Sequence, residues 1–304
     1  MKPVRTLAAA LDEQVLVLDG GLSNQLQAQG CDLSDALWSA RLLADGPEQI
    51  EAAHAAYVRA GAQVLITSSY QATFEGFARR GTGRAEAARL LARSVELARA
   101  AGEGTDREVW VAASVGPYGA MLADGSEYRG RYGLSVAELE RFHRPRVEAL
   151  AEAGPDVLAL ETVPDADEAE GLLRAVEGCG VPVWLSYTVD GLRTRAGQPL
   201  EDAFAVAAGL DHVVAVGVNC CDPRDAGPAA AIAAAVTGKP VVVYPNSGEE
   251  WDAEARDWRG GATFAPDTTA RWRADGARLV GGCCRVGPGQ IAELAGTLAA
   301  DPEK

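Results

Sequence analysis

The stretch Val213-Val214-Ala215-Val216-Gly217-Val218-Asn219-Cys220-Cys221 is an unbroken apolar run that ends abruptly in an amide and two thiols. A strand with one wet face alternates apolar and polar residues, whereas a run apolar at every position suits a strand covered on both sides, as in a parallel sheet flanked by helices. Seven further runs read the same way: Val15–Leu18, Val64–Ile66, Val109–Val115, Val157–Leu160, Val183–Tyr187, Val241–Tyr244 and Ala277–Val280. Between them lie Ala/Leu/Glu/Arg-rich stretches with helical spacing, such as Pro47–Ala60, Arg84–Ala101, Ala166–Glu177 and Gly287–Ala299. Eight strands alternating with about eight helical segments predict an α/β protein, a (β/α)8 TIM-type barrel, as a single domain over residues 1–304. A doubly wound open sheet fits the alternation almost as well, but no Gly-x-Gly-x-x-Gly turn follows the first run. No internal repeat, low-complexity linker or domain boundary divides the chain.

Helix-start signals support the alternation. Ser135…Glu138 and Asp165…Glu168 have the spacing of a capping box or its aspartate analogue. Pro145 falls inside the pattern that Ser135 opens and predicts a kink or break there. Two connections, Gly116 to Gly133 and Pro245 to about Asp267, are longer than a barrel needs. Each leaves the C-terminal end of a strand, the end that carries active sites in this architecture.

Composition narrows the class of function. Apolar residues make up 48% of the 304 and charged residues 23%, enough for a sizeable core, so disorder is excluded. The balance of 28 Lys+Arg against 43 Asp+Glu gives a net charge of −15, which repels phosphate backbones and anionic lipid. No apolar run reaches membrane-spanning length. The N-terminal apolar stretch Thr6–Leu11 is too short for a signal sequence and is followed at once by Asp12 and Glu13. These features predict a cytoplasmic protein that binds neither nucleic acid nor membrane. Its six cysteines are then thiols or metal ligands.

Polar residues gather at the same end of the runs: Asp19-Gly20-Gly21, Thr67-Ser68-Ser69-Tyr70-Gln71, Glu161-Thr162, Asn219-Cys220 and Gly281-Gly282-Cys283-Cys284. The sixth and eighth strands of a closed barrel are second neighbours, so their ends can reach one ion over the mouth. Adjacent strand residues face opposite ways, and Gly281-Gly282 permits the turn that lets Cys283 and Cys284 converge. With Cys220 they supply three thiolates, a soft set that suits zinc or Cu(I) and leaves a tetrahedral position open. The plainer readings are small thiols packed as hydrophobes, or a vicinal disulfide. The three histidines, His54, His143 and His212, fall in helical stretches or before a strand, where surface or core roles are expected. A thiol-rich zinc site suits the binding of a further thiol, whose pKa the metal lowers.

These segments resemble the homocysteine S-methyltransferase family, the zinc-dependent group that includes betaine–homocysteine methyltransferase and the homocysteine domain of cobalamin-dependent methionine synthase. The likeness runs from Leu18-Asp19-Gly20-Gly21 to Gly281-Gly282-Cys283-Cys284, almost the whole chain. Gly217-Val218-Asn219-Cys220 and Gly281-Gly282-Cys283-Cys284 are similar to the family's zinc-ligand segments. Thr67 to Thr73, Asp124-Gly125-Ser126-Glu127-Tyr128-Arg129-Gly130 and Glu161-Thr162 point to the branch that uses S-methylmethionine or S-adenosylmethionine.

The resemblance implies a (β/α)8 barrel with Zn2+ on Cys220, Cys283 and Cys284, acting as a methyltransferase that makes methionine from L-homocysteine. It also implies that Glu161 holds the substrate ammonium with Asp19 and the Gly20-Gly21 turn beside it, and that Ser69, Tyr70 and Asn219 belong to the substrate-binding set. No side chain is expected as general acid or base, because the leaving group departs as a neutral thioether. Trp38, Tyr70, Tyr118, Tyr128 and Trp251 lie on or near the mouth loops, where a sulfonium donor could meet aromatic faces. Cys221 departs from the family pattern and is expected to be a spectator. The fourth ligand of the resting metal (Asn219, a loop residue or water), the preferred donor and the oligomeric state stay open. The other readings are a barrel metallohydrolase using zinc-bound water, which scarce strand-end histidine disfavours, and a non-catalytic zinc- or thiol-binding protein with a closed site.

Overall fold

A computed structural model describes residues 2–34, 37–252, 257–265 and 268–300. The eight apolar runs form β1 (Leu16–Val17), β2 (Val64–Ile66), β3 (Trp110–Val115), β4 (Val157–Val163), β5 (Val183–Tyr187), β6 (Val213–Asn219), β7 (Val241–Tyr244) and β8 (Ala277–Val280). All pair in parallel with their sequence neighbours, and β8 returns to β1 through Leu16↔Leu279 and Val17↔Val280. The last seam, β1 to β2, is closed by a parallel bridge between Leu18 and Val64. There Gln63 N donates to Val17 O at 2.7 Å and Asp19 N to Val64 O at 3.0 Å. The sheet is a (β/α)8 barrel.

Strand parity sorts the apolar residues into two layers. Leu16, Leu18, Val64, Trp110, Ala112, Val157, Ala159, Trp184, Ala215, Val242 and Leu279 fill the interior, and Leu7 and Leu11 of the helix Leu7–Glu13 join the same cluster. Their neighbours Val111, Leu158, Leu185, Val216, Val218 and Val243 face the surrounding helices. Burial on both faces is what makes the runs continuous. Gly217 carries the closest approach between strands, since a Cβ there would lie 1.9 Å from Val242 O.

The helices follow the expected spans, with the long ones at Pro47–Arg59, Arg84–Ala101, Ala166–Val176 and Pro288–Ala300. Ser135 opens a complete capping box: Glu138 N donates to Ser135 Oγ at 3.3 Å, and Ser135 N to Glu138 Oε2 at 2.8 Å. Two sequence expectations need correction. Of the kink or break expected at Pro145, the break does not occur: the helix Val136–Glu152 runs through it. The proline costs one backbone bond, but Leu139, Val147 and Leu150 are buried on either side of it and hold the helix in register. Asp165 does cap its helix, but by accepting from Asp167 N, while Glu168 turns inward instead of reaching back to the cap. No helix among the described residues is long and apolar enough to cross a membrane.

The contact at Gly217 yields a stability test. Gly217→Ala should lose about 3 kcal/mol in denaturant unfolding, the upper range for overpacking. Gly289→Ala, in the helix Pro288–Ala300 with nothing near its Cβ position, should gain about 0.5–1 kcal/mol. A Gly217→Ala variant as stable as the parent would show that the strands can part at no cost.

Candidate active site

The C-terminal rim of the strands carries a polar layer directly above the apolar interior. Inward parity continues from Ala112 to Ser114, from Ala159 to Glu161, from Trp184 to Ser186, from Gly217 to Asn219 and from Val242 to Tyr244. Glu161 Oε1 accepts from Ser114 Oγ, and its Oε2 accepts from Tyr244 OH at 3.0 Å. Trp184 Nε1 donates to the same tyrosine oxygen at 3.3 Å. Burial pushes the Glu161 carboxyl up to about 7 against the pull of these hydrogen bonds. Asp19, at the end of β1, accepts from Ile66 N at 2.9 Å through Oδ2, while its buried Oδ1 has no partner. Burial pushes Asp19 well above the usual carboxylate range, and the charge of Glu161 adds to that. Two buried carboxyl groups at one mouth, one with an unpartnered oxygen, suit a cation that would satisfy both.

The three sulfurs predicted to converge do so. The Sγ atoms of Cys220, Cys283 and Cys284 lie within 4.8 Å of one another, and Cys220 and Cys284 are 3.7 Å apart. Two thiolates at about 2.3 Å from a tetrahedral zinc ion are about 3.8 Å apart, so the spacing fits such an ion. Without a cation the trio favours a single charge. Hydrogen bonds from the Cys220 and Cys283 thiols hold Cys284 well below the ordinary thiol range, and hydrogen bonding to its two sulfur neighbours, with burial, pushes Cys283 up. Only a metal ion allows three thiolates together.

Backbone geometry explains how the sulfurs meet. Cys220 would follow Val216 and Val218 outward by parity, but it takes a left-handed φ of 52° and turns to the mouth. Cys221 then enters the outer apolar layer with no exposed surface. The structure separates the two adjacent cysteines, with Cys221 outside the sulfur cluster. Gly281 and Gly282 differ from expectation in how they help, since neither has a positive φ. They permit close packing instead: a Cβ at Gly281 would lie 2.5 Å from Leu18 Cβ, and one at Gly282 2.2 Å from Val286 Cγ1.

The end of β7 braces the turn. Cys283 N donates to Pro245 O at 2.7 Å, Cys284 N to Asn246 Oδ1 at 3.1 Å, and Ser247 N to Cys284 O at 3.0 Å. Gly20 and Gly21 serve the same packing, because a Cβ at Gly20 would lie 2.3 Å from Val286 O and one at Gly21 2.6 Å from Cys283 O.

The other sequence candidates divide by their partners. Asn219 joins β6 to the irregular end of β4: its Oδ1 accepts from Thr162 N at 2.7 Å and Ser186 Oγ at 2.5 Å, and its Nδ2 donates to Thr162 Oγ1 at 2.7 Å. Ser69 Oγ donates to Ser114 O at 2.7 Å and sits deep between β2 and β3. Tyr70 packs its ring where any Cβ on Gly116 would stand. Tyr118 stacks on Tyr132 and Phe142. Tyr128 reaches the sulfurs, its hydroxyl 3.2 Å from Cys220 Sγ. The side chains of Trp38 and Trp251 lie outside the described residues.

Sequence reasoning missed Tyr244, which looked like the last apolar residue of its run. Ser68, quoted among the rim residues but left out of the substrate-binding set, has a buried hydroxyl with no partner beside Ser69.

Known proteins similar to this chain share one family. A family model described as "Homocysteine S-methyltransferase" matches residues 16–298. The homocysteine S-methyltransferase of Escherichia coli K12 is 47% identical over 300 residues, covering 95% of this chain and 97% of that one. The homocysteine S-methyltransferase YbgG of Bacillus subtilis is 44% identical, covering 92% and 93%. The crystal structure of the E. coli homocysteine methyltransferase MmuM in its metallated form superposes with a TM-score of 0.86 at 45% identity, covering 95% of this chain and 98% of that one. By the extent of these matches and its three-cysteine cluster, this chain belongs to the homocysteine S-methyltransferase family.

Proposed function

We propose that this chain is a zinc-dependent, cytoplasmic enzyme that moves a methyl group from a sulfonium donor to the thiol of L-homocysteine, with the whole site on one barrel domain. Methyl transfer to homocysteine is the activity of the family, and its substrates are small molecules. The observation that carries the proposal is the convergence of Cys220 with the adjacent pair Cys283 and Cys284, 63 and 64 residues further along the chain, on one point at the barrel mouth. Among the described residues no histidine or carboxylate joins that group, which disfavours a hydrolytic zinc site and a closed four-ligand store.

Zinc on these three sulfurs would bind the homocysteine sulfur in its open position and hold it as thiolate at neutral pH. The chain's own residues do the rest. Asp19 and Glu161 take the substrate ammonium, which supplies the partner that Asp19 Oδ1 lacks. Ser68, with its free hydroxyl, and the segment through Ser69 and Tyr70 flank the amino-acid end. Asn219 acts by fixing the end of β4 and so the backbone beside Glu161. Tyr128, with its hydroxyl on the Cys220 sulfur, sets an aromatic ring beside the cluster, a favourable setting for a cationic donor. In-line transfer then depends on holding two sulfurs in line with the methyl carbon and excluding water, with no proton to deliver to the leaving thioether.

Metal and activity should separate by cysteine. Cys283→Ser and Cys284→Ser should lose about one equivalent of zinc by elemental analysis and more than about 100-fold in transfer rate, while the circular dichroism spectrum stays that of the parent. Cys221→Ala should keep metal and activity and lose about 1 kcal/mol of stability. Parental activity in Cys283→Ser at trace zinc would refute the assignment.

The carboxylate role has a pH signature. In the free enzyme Glu161 gains a proton as pH falls below about 7, which removes a charge that the ammonium needs. The kcat/KM for homocysteine should therefore fall by about tenfold per pH unit below that point. Glu161→Gln should abolish this limb and lower kcat/KM by about 10–100-fold, chiefly through KM. A pH profile unchanged in the variant would assign the ammonium elsewhere.

A further inference from the structure

Beside the barrel mouth, apart from the sulfurs, the helices Val136–Glu152 and Ala166–Val176 bury Arg146, His143 and Glu168 against one another, each at most 1% exposed. Arg146 Nη2 lies 2.6 Å from His143 Nδ1, and His143 Nε2 lies 3.0 Å from Glu168 Oε1. A guanidinium has no acceptor, so it donates to Nδ1. The ring proton is then on Nε2 and is donated to the Glu168 carboxylate. Burial, reinforced by the Arg146 charge, holds His143 well below its ordinary pKa, so the ring is neutral and one tautomer is fixed.

Both ends of this chain of bonds grip the same loop. Arg146 Nη2 also donates to Gly116 O, and Glu168 Oε1 also accepts from Tyr118 N at 2.5 Å. Gly116 and Tyr118 start the long connection that ends near Gly133. Its far end is tied to the same place, with the Tyr132 ring 5.2 Å from that of Tyr118 and Arg131 N donating to Asp165 Oδ2 at 3.1 Å. Between these anchors stands Tyr128, its hydroxyl on the Cys220 sulfur. The short helix Tyr118–Leu122 touches the turn that bears Tyr128 so closely that a Cβ on Gly119 would lie 2.4 Å from Glu127 N. A displacement at Tyr118 is thereby passed to Tyr128.

Stability alone is weak grounds for the arrangement, because well-packed apolar groups replace buried ionic chains at little or no cost in many proteins. We propose that Arg146, His143 and Glu168 are positioning residues for methyl transfer, acting through the 116–133 loop to hold Tyr128 against the sulfur site. The proposal rests on the reading of that site as the reaction centre.

The test uses the full-length, zinc-loaded protein. His143→Leu removes both histidine bonds, whereas the amide of His143→Gln can accept from Arg146 and donate to Glu168. His143→Leu should keep its zinc and a cooperative unfolding transition, yet lose about tenfold in kcat/KM for homocysteine. Trypsin should also cleave it about tenfold faster after Arg129 or Arg131, both exposed on this loop. His143→Gln should return both readouts to within about threefold of the parent. In a Tyr128→Phe background, His143→Leu should cost less than about twofold more, because the loss runs through the tyrosine.

Losses that multiply independently, or parental kinetics and cleavage in His143→Leu, overturn the proposal. Should His143→Leu fail to fold, Glu168→Gln carries the same cycle, since it weakens the bond to Tyr118 N. If the parent transfers no methyl group, the proposed function fails, and the cleavage rates of the same variants still decide whether the buried chain holds the loop.

Discussion

Three thiol groups brought within 4.8 Å of one another form a site that cannot carry its own charge. One thiolate is stabilised by its neighbours' hydrogen bonds, and each further one is opposed by the first. The rest of the mouth depends on that constraint. The polypeptide spends its backbone freedom there: a left-handed φ at Cys220, another at Arg285, and four glycines whose missing side chains let β1, β8 and the turn after β8 close on one another. Main-chain bonds from the end of β7 then fix the turn. None of this stabilises the fold as such, and local strain of this kind is kept where function needs it.

The barrel supplies the rigidity that such a site requires. Its interior is apolar and large-residued around Trp110 and Trp184, then becomes polar toward the C-terminal ends of five strands. There Ser114, Glu161, Ser186, Asn219 and Tyr244 meet as one connected layer. Glu161 is thereby held by neighbours on both sides before any substrate arrives. This is preorganisation in its plain sense: the polar groups are placed by the strands and need not be gathered by the ligand.

Much of this was legible in the chain. Continuous apolar runs gave the strands nearly to the residue, because burial on two faces leaves no alternation to misread. The sulfur trio was legible because β6 and β8 are second neighbours in any closed eight-stranded sheet. Residues whose roles depend on inward turns were not legible. Glu168 has the spacing of a helix cap and instead points into the protein, and His143 gives no local sign that Arg146 sets its tautomer. The break expected at Pro145 does not occur, because propensity speaks of one missing bond and says nothing of the packing that outweighs it. Gly281 and Gly282 were credited with turning, yet what they provide is proximity, and proximity to a residue such as Leu18 at the other end of the chain has no local signature.

The seam between β1 and β2 has a consequence for how occupancy and architecture are linked. β1 is two residues long, and its join to β2 rests on a single bridge, two flanking main-chain bonds, Val17 N donating to Gln63 Oε1 at 3.4 Å and the side chain of Asp19 reaching across to Ile66 N. The same carboxylate offers its other oxygen to the mouth. On the proposed reading of Asp19, an ammonium group docked there would rivet this joint of the cylinder. Ligand and barrel closure would then share one latch, and a filled mouth would resist springing open in proportion to how tightly it is filled.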